Sequence, residues 1–258
     1  MRVLGFLLLA ATGLYAAESA DLSQDRIDDI IQKFAAKEAA FAQARELYTY
    51  KQTARVQVLD EAGVAREKWE TTSDIVFTGD GKRSEHVTHA PPSTLQSLSL
   101  TPEDMEDLRS IQPFVLTTKD LPKYLIRYLG KQTLDEISCY VFAVKPKKMD
   151  PGVRYFEGEV WVDDQDLQIV KSYGRGVGIL KGSKDQQFPK FETYREQIDG
   201  KYWFPTYTIA NDTLHFKDQD VRMRQTVKYE DYKQFKTDTT ITFGDVADQP
   251  KKDEPKKP

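Results

Sequence analysis

One cysteine, Cys139, is all that 258 residues contain. No internal disulfide can form, and a chain of this length buries enough core to do without one. Histidine is almost as scarce, at three residues. His86 and His89 lie three apart on a strand and so face opposite ways, and His215 is far off in sequence. No His-Glu-x-x-His occurs and no second thiol is available, so neither a metal site nor a cofactor is expected. No Gly-x-Ser-x-Gly elbow occurs either. Neither sign of charge dominates: 37 lysines and arginines stand against 41 acids, the net charge is −4 and the pI about 5.6. That balance gives no basic excess for nucleic acid or an anionic membrane surface. Beyond the first twenty residues no apolar run is long enough to cross a bilayer as a helix.

Those first residues are different. Met1-Arg2 is a short positive region, Val3 to Leu14 an apolar one, and Ala16, Ala17, Ser19 and Ala20 are small. The pattern predicts a secretory signal peptide over 1–20, cleaved between Ala16 and Asp21. The mature protein is then expected to be soluble and exported. Residues 245–258 are lysine, acid and proline without periodicity and predict a disordered charged tail. One β domain over 21–244 remains between them.

Its first segment is helical. Asp21 reads as the N-cap with Gln24 closing a capping box, and Ile27, Ile31, Phe34 and Phe41 recur at helical spacing. Glu38 interrupts that stripe. From Leu47 the period becomes two. Strands follow over Tyr48–Val58, Val64–Phe77 and Lys82–His89, with a turn at Gly79-Asp80-Gly81. Pro91-Pro92 breaks the sheet. Thr101-Pro-Glu-Asp104 is a helix start: threonine cap, proline in the first position, acids in the first turn. Met105, Leu108 and Ile111 then line one side, flanked by Phe114. The sheet resumes at Tyr124–Tyr128 and Ile137–Val144. Phe188–Gln197 pairs with Lys201–Ile209 across Asp199-Gly200, and Leu214–Phe216 with Val221–Phe235.

The stretch Tyr155 to Gly174 reads as a hairpin. Setting Val162 opposite Leu167 brings Val160 to Ile169, Gly158 to Lys171 and Phe156 to Tyr173 on one apolar face. Tyr155, Glu157, Glu159 and Trp161 take the other. Trp161 there needs cover, from another element or from a ligand. Gly174-x-Gly176-x-Gly178 follows as a flexible connection, since no helix opens after it to make a phosphate site. Glu157 and Glu159 have a spacing that a retaining glycosidase would share, but alternate strand residues always do, and a solvated face explains them. Asp163, Asp164 and Asp166 lack the glycine and distal glutamate of a calcium loop. No catalytic residue is expected, and the protein is read as not an enzyme.

The run Glu157-Gly-Glu-Val-Trp-Val-Asp163, then Leu167-Gln-Ile-Val-Lys171, resembles the LolA/LolB-like family of periplasmic lipoprotein carriers, most closely its outer-membrane lipoprotein-sorting branch. The element pattern alone predicts a mainly β (α+β) fold: a curved antiparallel sheet or incomplete β-barrel, with the N-terminal helix and a short helical lid on its concave side. The resemblance implies a carrier of lipoprotein or lipid cargo, with an inner-membrane exporter and an outer-membrane acceptor as partners. Met105, Leu108, Ile111, Phe114 and Trp161 are the candidate cargo-binding and lid residues. Arg83 is the nearest match to the family's functional arginine. The rival expectation is an envelope regulatory or scaffolding protein that binds a protein partner through the same half-barrel.

Overall fold

A computed structural model describes residues 22–78, 81–180 and 187–235. The expected leader, the Asp21 cap, most of the Gly79-Asp80-Gly81 turn and the charged tail lie outside the described residues.

Helix α1 (Gln24–Arg45) has Ser23 as its cap in place of the expected Asp21, the Ser23 hydroxyl accepting from the Arg26 amide. Among the described residues ten strands follow: β1 (Tyr48–Leu59), β2 (Ala65–Phe77), β3 (Arg83–His89), β4 (Tyr124–Leu134), β5 (Ile137–Pro146), β6 (Tyr155–Asp163), β7 (Ile169–Val177), β8 (Phe191–Ile198), β9 (Tyr202–His215) and β10 (Asp220–Gln234). They form one antiparallel sheet in the order β3-β2-β1-β10-β9-β8-β7-β6-β5-β4. The sheet is open and curved. Every neighbour pair but one is sequential. The exception is β1 with β10, where Ala54 faces Val227 and Val56 faces Gln225. That single pairing joins the two halves of the chain and leaves β3 and β4 as the edges.

The order dictates the role of residues 90–123. They connect one edge strand to the other, across ten strands spaced about 4.8 Å apart. A connection between opposite edges has to cross a face, and this one crosses the face that also carries α1. Short helix α2 (Pro102–Glu106) and a π-helical turn at Asp107–Ile111 form its middle.

The main core sits between that face and the elements crossing it. Ile30, Phe34 and Ala35 of α1 meet Phe142, Val160, Val162 and Ile169 of the sheet, with Ile111, Phe114 and Leu116 of the crossing segment beside them. Phe34 and Phe142 lie 5.3 Å apart between ring centres. A second cluster closes the helix end, where Phe41 meets Phe204 edge-on at 5.1 Å. Each such side chain removed from water contributes about 1.5–3 kcal/mol. Along β1 the even-numbered Tyr48, Gln52, Ala54, Val56 and Val58 are buried, as period two requires.

Three local expectations change. The hairpin register is different: Gly158 faces Gly174, Glu159 faces Tyr173 and Trp161 faces Lys171, with an irregularity at Trp161/Val162. The cause is the turn. Leu167 adopts φ 53° and Asp163 pairs with Gln168, which lengthens the loop; the bulge then adds an odd residue, and one residue flips every later side chain to the other face. The glycine run is not a loop up to Gly178, because β7 continues to Val177. Leu214–Phe216 is not a separate strand; residues to His215 belong to β9.

Candidate functional site

Segment 90–123 lies like a strap over the inner face, and its attachments are partly apolar and partly polar. Thr101 caps α2, and Asp104 closes the capping box by accepting from the Thr101 amide at 2.7 Å. Leu108 packs on Ala54, Val227 and Tyr229, with Met105 half-buried against the same group. Ile111 and Phe114 enter the main core, and Phe114 stacks on Phe156. Earlier in the strap, Leu95, Leu98 and Leu100 cover Val56, Leu214 and Met223.

The polar attachments are more unusual. Glu103 is fully buried, and its carboxylate accepts from the Leu180 amide at 2.8 Å. Asp107 meets the Arg154 guanidinium through two hydrogen bonds, Nε to Oδ1 at 2.9 Å and Nη2 to Oδ2. The Arg154 side chain is 1% exposed and that of Asp107 9%. Arg154 also donates to the Gly178 carbonyl and lies under the Phe188 ring. Gly176 of β7 provides the floor: a Cβ there would collide with both partners. Burial pushes the Asp107 carboxyl up to about 6 despite Arg154. The Gln112 carbonyl accepts from the Thr193 hydroxyl, while Gln112 Oε1 is buried with no donor among the described residues. An orphan acceptor of this kind costs stability, and α1 carries an orphan donor as well, at Arg45 Nε.

A second buried pair belongs to α1. Glu38, the residue that breaks the helix stripe, accepts from Arg195 of β8 at 3.1 Å and from the Ile169 amide. Arg195 donates as well to the Phe114 carbonyl. Burial holds the Glu38 carboxyl above its ordinary value, against the pull of Arg195. Sequence reading missed Asp107, Arg154 and Arg195. The one local signal was Glu38 itself, a carboxylate inside an apolar stripe.

The remaining candidates lie elsewhere. Trp161 is on the sheet's other face, covered by Cys139, Val141 and Val170, with Nε1 donating to Gln132 at 3.0 Å. Arg83 on β3 donates to Gln52 and to Glu85. Burial pushes the Cys139 thiol up to about 11, so it is not a reactive thiolate. No cluster of histidine, cysteine and acid suited to a metal exists among the described residues. Glu157 and Glu159 line an open trough of about 820 Å³ on the outer face, with Glu157 3.5 Å from Arg175.

Directly beneath the strap little space remains among the described residues; an open cleft of about 390 Å³ lies beside it, lined by Gly176, Gly178, Phe188 and Leu214. A cavity of about 80 Å³ lies under the strap between Leu98, Leu108, Leu214 and Met223. Another of about 20 Å³ lies between Phe41, Pro113 and Tyr229. No helix among the described residues is long and apolar enough to cross a membrane.

No family model and no curated protein matches the chain. Solved structures do. A DUF1329 family protein from Desulfovibrio piger is 14% identical with a TM-score of 0.41, over 81% of this chain and 95% of that one. A LolA superfamily protein from Nitrosomonas europaea is 14% identical at a TM-score of 0.37, over 81% and 93%. A domain assigned as an outer membrane lipoprotein-sorting protein, from Vibrio parahaemolyticus, is 10% identical at 0.37, over 81% and 95%. At TM-scores this low the fold rests on the order and register of the sheet described above.

Proposed function

We propose that the protein is a non-enzymatic periplasmic carrier, exported through its N-terminal leader, that shields lipoprotein or other lipid-like cargo on the inner face of the sheet. Segment 90–123 is the cover of that site. The carrying observation is the strap over an apolar face with almost no free volume. Ligand pockets measure roughly 300–1,000 Å³, against about 80 and 20 Å³ here. Cargo therefore takes the strap's place. Acyl chains make no hydrogen bonds and are held by exclusion from water, and Leu108, Ile111 and Phe114 already occupy such a surface. Cargo contacts that replace strap contacts offset the cost of opening. An inner-membrane donor and an outer-membrane acceptor are the partners such a carrier needs.

Mass spectrometry of the purified mature protein tests the reading, together with displacement of a neutral naphthalene dye. Acyl lipid should co-purify with the wild type. With cargo in place the strap's apolar side chains lie over it, so replacing Met105, Leu108 and Ile111 together by serine should abolish retention while unfolding stays cooperative. A triple variant that folds and retains lipid as well as wild type sinks the cover assignment.

A protein-binding role is the second reading, favoured by the two open edges. Leu125 and Leu129 on β4 and Val87 on β3 are exposed, and an unpaired edge can accept a partner strand. A protein that purifies without lipid and captures a polypeptide lost on adding proline to β4 would support it instead.

A further inference from the structure

The two buried ion pairs differ in what happens when the strap lifts. Arg195 keeps Glu38, because that carboxylate comes from α1. Arg154 loses Asp107, because that carboxylate comes from the strap itself. What stays with Arg154 is the Gly178 carbonyl and the face of Phe188. A guanidinium with most of its donors free, under an apolar cargo, would be a buried charge without a counter-ion, which is strongly unfavourable.

The strap also has the chemistry of a ligand. Its carboxylate at Asp107 presents two oxygens to Nε and Nη2 of Arg154. Its apolar side chains follow at Ile111 and Phe114, both within the main core. Gly176 keeps the floor under the ion pair clear, so the seat accommodates an anion and nothing on β7 fills it. Paired parallel hydrogen bonds from arginine are suited to a carboxylate or a phosphate.

We infer that the cargo is an anion-headed amphiphile whose carboxylate or phosphate oxygens replace Asp107 on Arg154 while its chain replaces Ile111 and Phe114. The inference rests on the carrier reading and adds the head group to it. Arg154 is then the residue that selects cargo by charge, and Asp107 is a built-in competitor that keeps the empty site closed.

Dye displacement on the full mature chain tests this with dodecanoate, dodecyl phosphate, dodecanol and dodecyltrimethylammonium. The wild type should bind one or both anions at least about tenfold tighter than the neutral and cationic analogues. The stronger of the two anions identifies the head group. Arg154→Gln should cut that preference to within about twofold and leave dodecanol binding in place. Asp107→Asn removes the clasp without removing the apolar cover, so it should strengthen binding of anionic and neutral chains alike and keep their ratio. This second variant decides the matter if Arg154→Gln does not fold: stronger binding with the anion preference intact supports the inference, and unchanged binding overturns it. Equal affinities for anion and alcohol in the wild type overturn it while leaving the carrier reading standing. If no chain of any head group displaces the dye, both fall.

Discussion

Phe114 of the strap stacks on Phe156 of β6, with ring centres 4.4 Å apart and planes inclined by 23°. The contact links the cover to the strand whose inner face it hides, and Phe156 in turn folds over Gly158 and Gly174. Shortening Phe114 should therefore loosen the cover before it loosens the sheet. Phe114→Ala is expected to cost about 3 kcal/mol. Hydrogen exchange should show the loss first at amides of 101–116, with β5 to β7 protected. Uniform loss of protection across the sheet would make the strap an inseparable part of the core.

Gly158 and Gly174 face each other across β6 and β7, and a Cβ on Gly158 would strike the Tyr173 carbonyl and the Gly174 backbone. Gly158→Ala should cost about 3 kcal/mol or more, since backbone cannot move aside as a side chain can. Gly152, at φ 74° in open space, is the control, where alanine should cost about 1 kcal/mol. Equal losses by denaturant titration would contradict the close approach.

Asp107 should make stability depend on pH in an unusual direction. Burial, with Asp104 and Glu106 acting the same way and Arg154 opposing, raises its carboxyl from 3.8 to about 6. Between those values the folded state binds the proton and the unfolded state does not. The stability from this group therefore rises as pH falls through 6 and is lost as pH climbs back above it. Other carboxylates, such as Glu85 and Glu70, are held low by arginine partners and lose stability on acidification. The comparison must be with Asp107→Asn. From pH 7 to pH 5 the wild type should gain about 1 kcal/mol relative to the variant; parallel curves would place the Asp107 carboxyl in the ordinary range.

Glu157 and Glu159 share the outer trough but touch no part of the strap. Their glutamine variants should keep lipid retention and shift stability by no more than about 0.5 kcal/mol. Loss of retention in a stable Glu157→Gln or Glu159→Gln protein would move the functional surface to the outer face.

Much of this arrangement was readable from the chain. Period two in Tyr48 to Val58, the Thr101 cap with Pro102 behind it, and the Asp199-Gly200 turn are local signals, and local sterics and hydrogen bonds settle them. The apolar side of Met105, Leu108 and Ile111 was legible for the same reason. The Gly174–Gly178 run was misread because glycine in a strand and glycine in a loop have the same local signature. A close strand crossing and a seated ion pair are what required those glycines.

The sequence by itself determined the period of β1, the breaks at Pro91-Pro92 and Asp199-Gly200, and a chain that makes one curved sheet with an apolar face. Only the tertiary structure decided how the halves join, through β1 and β10, and so that residues 90–123 must cross that face. It alone paired Glu38 with Arg195 across 157 positions and Asp107 with Arg154 across 47. Local pattern cannot carry such choices, because a charge inside an apolar stripe shows that a partner is needed without showing which one. Burial supplies the answer: an unpaired buried charge is costly, so each carboxylate is held where a guanidinium from a distant element hydrogen-bonds to it.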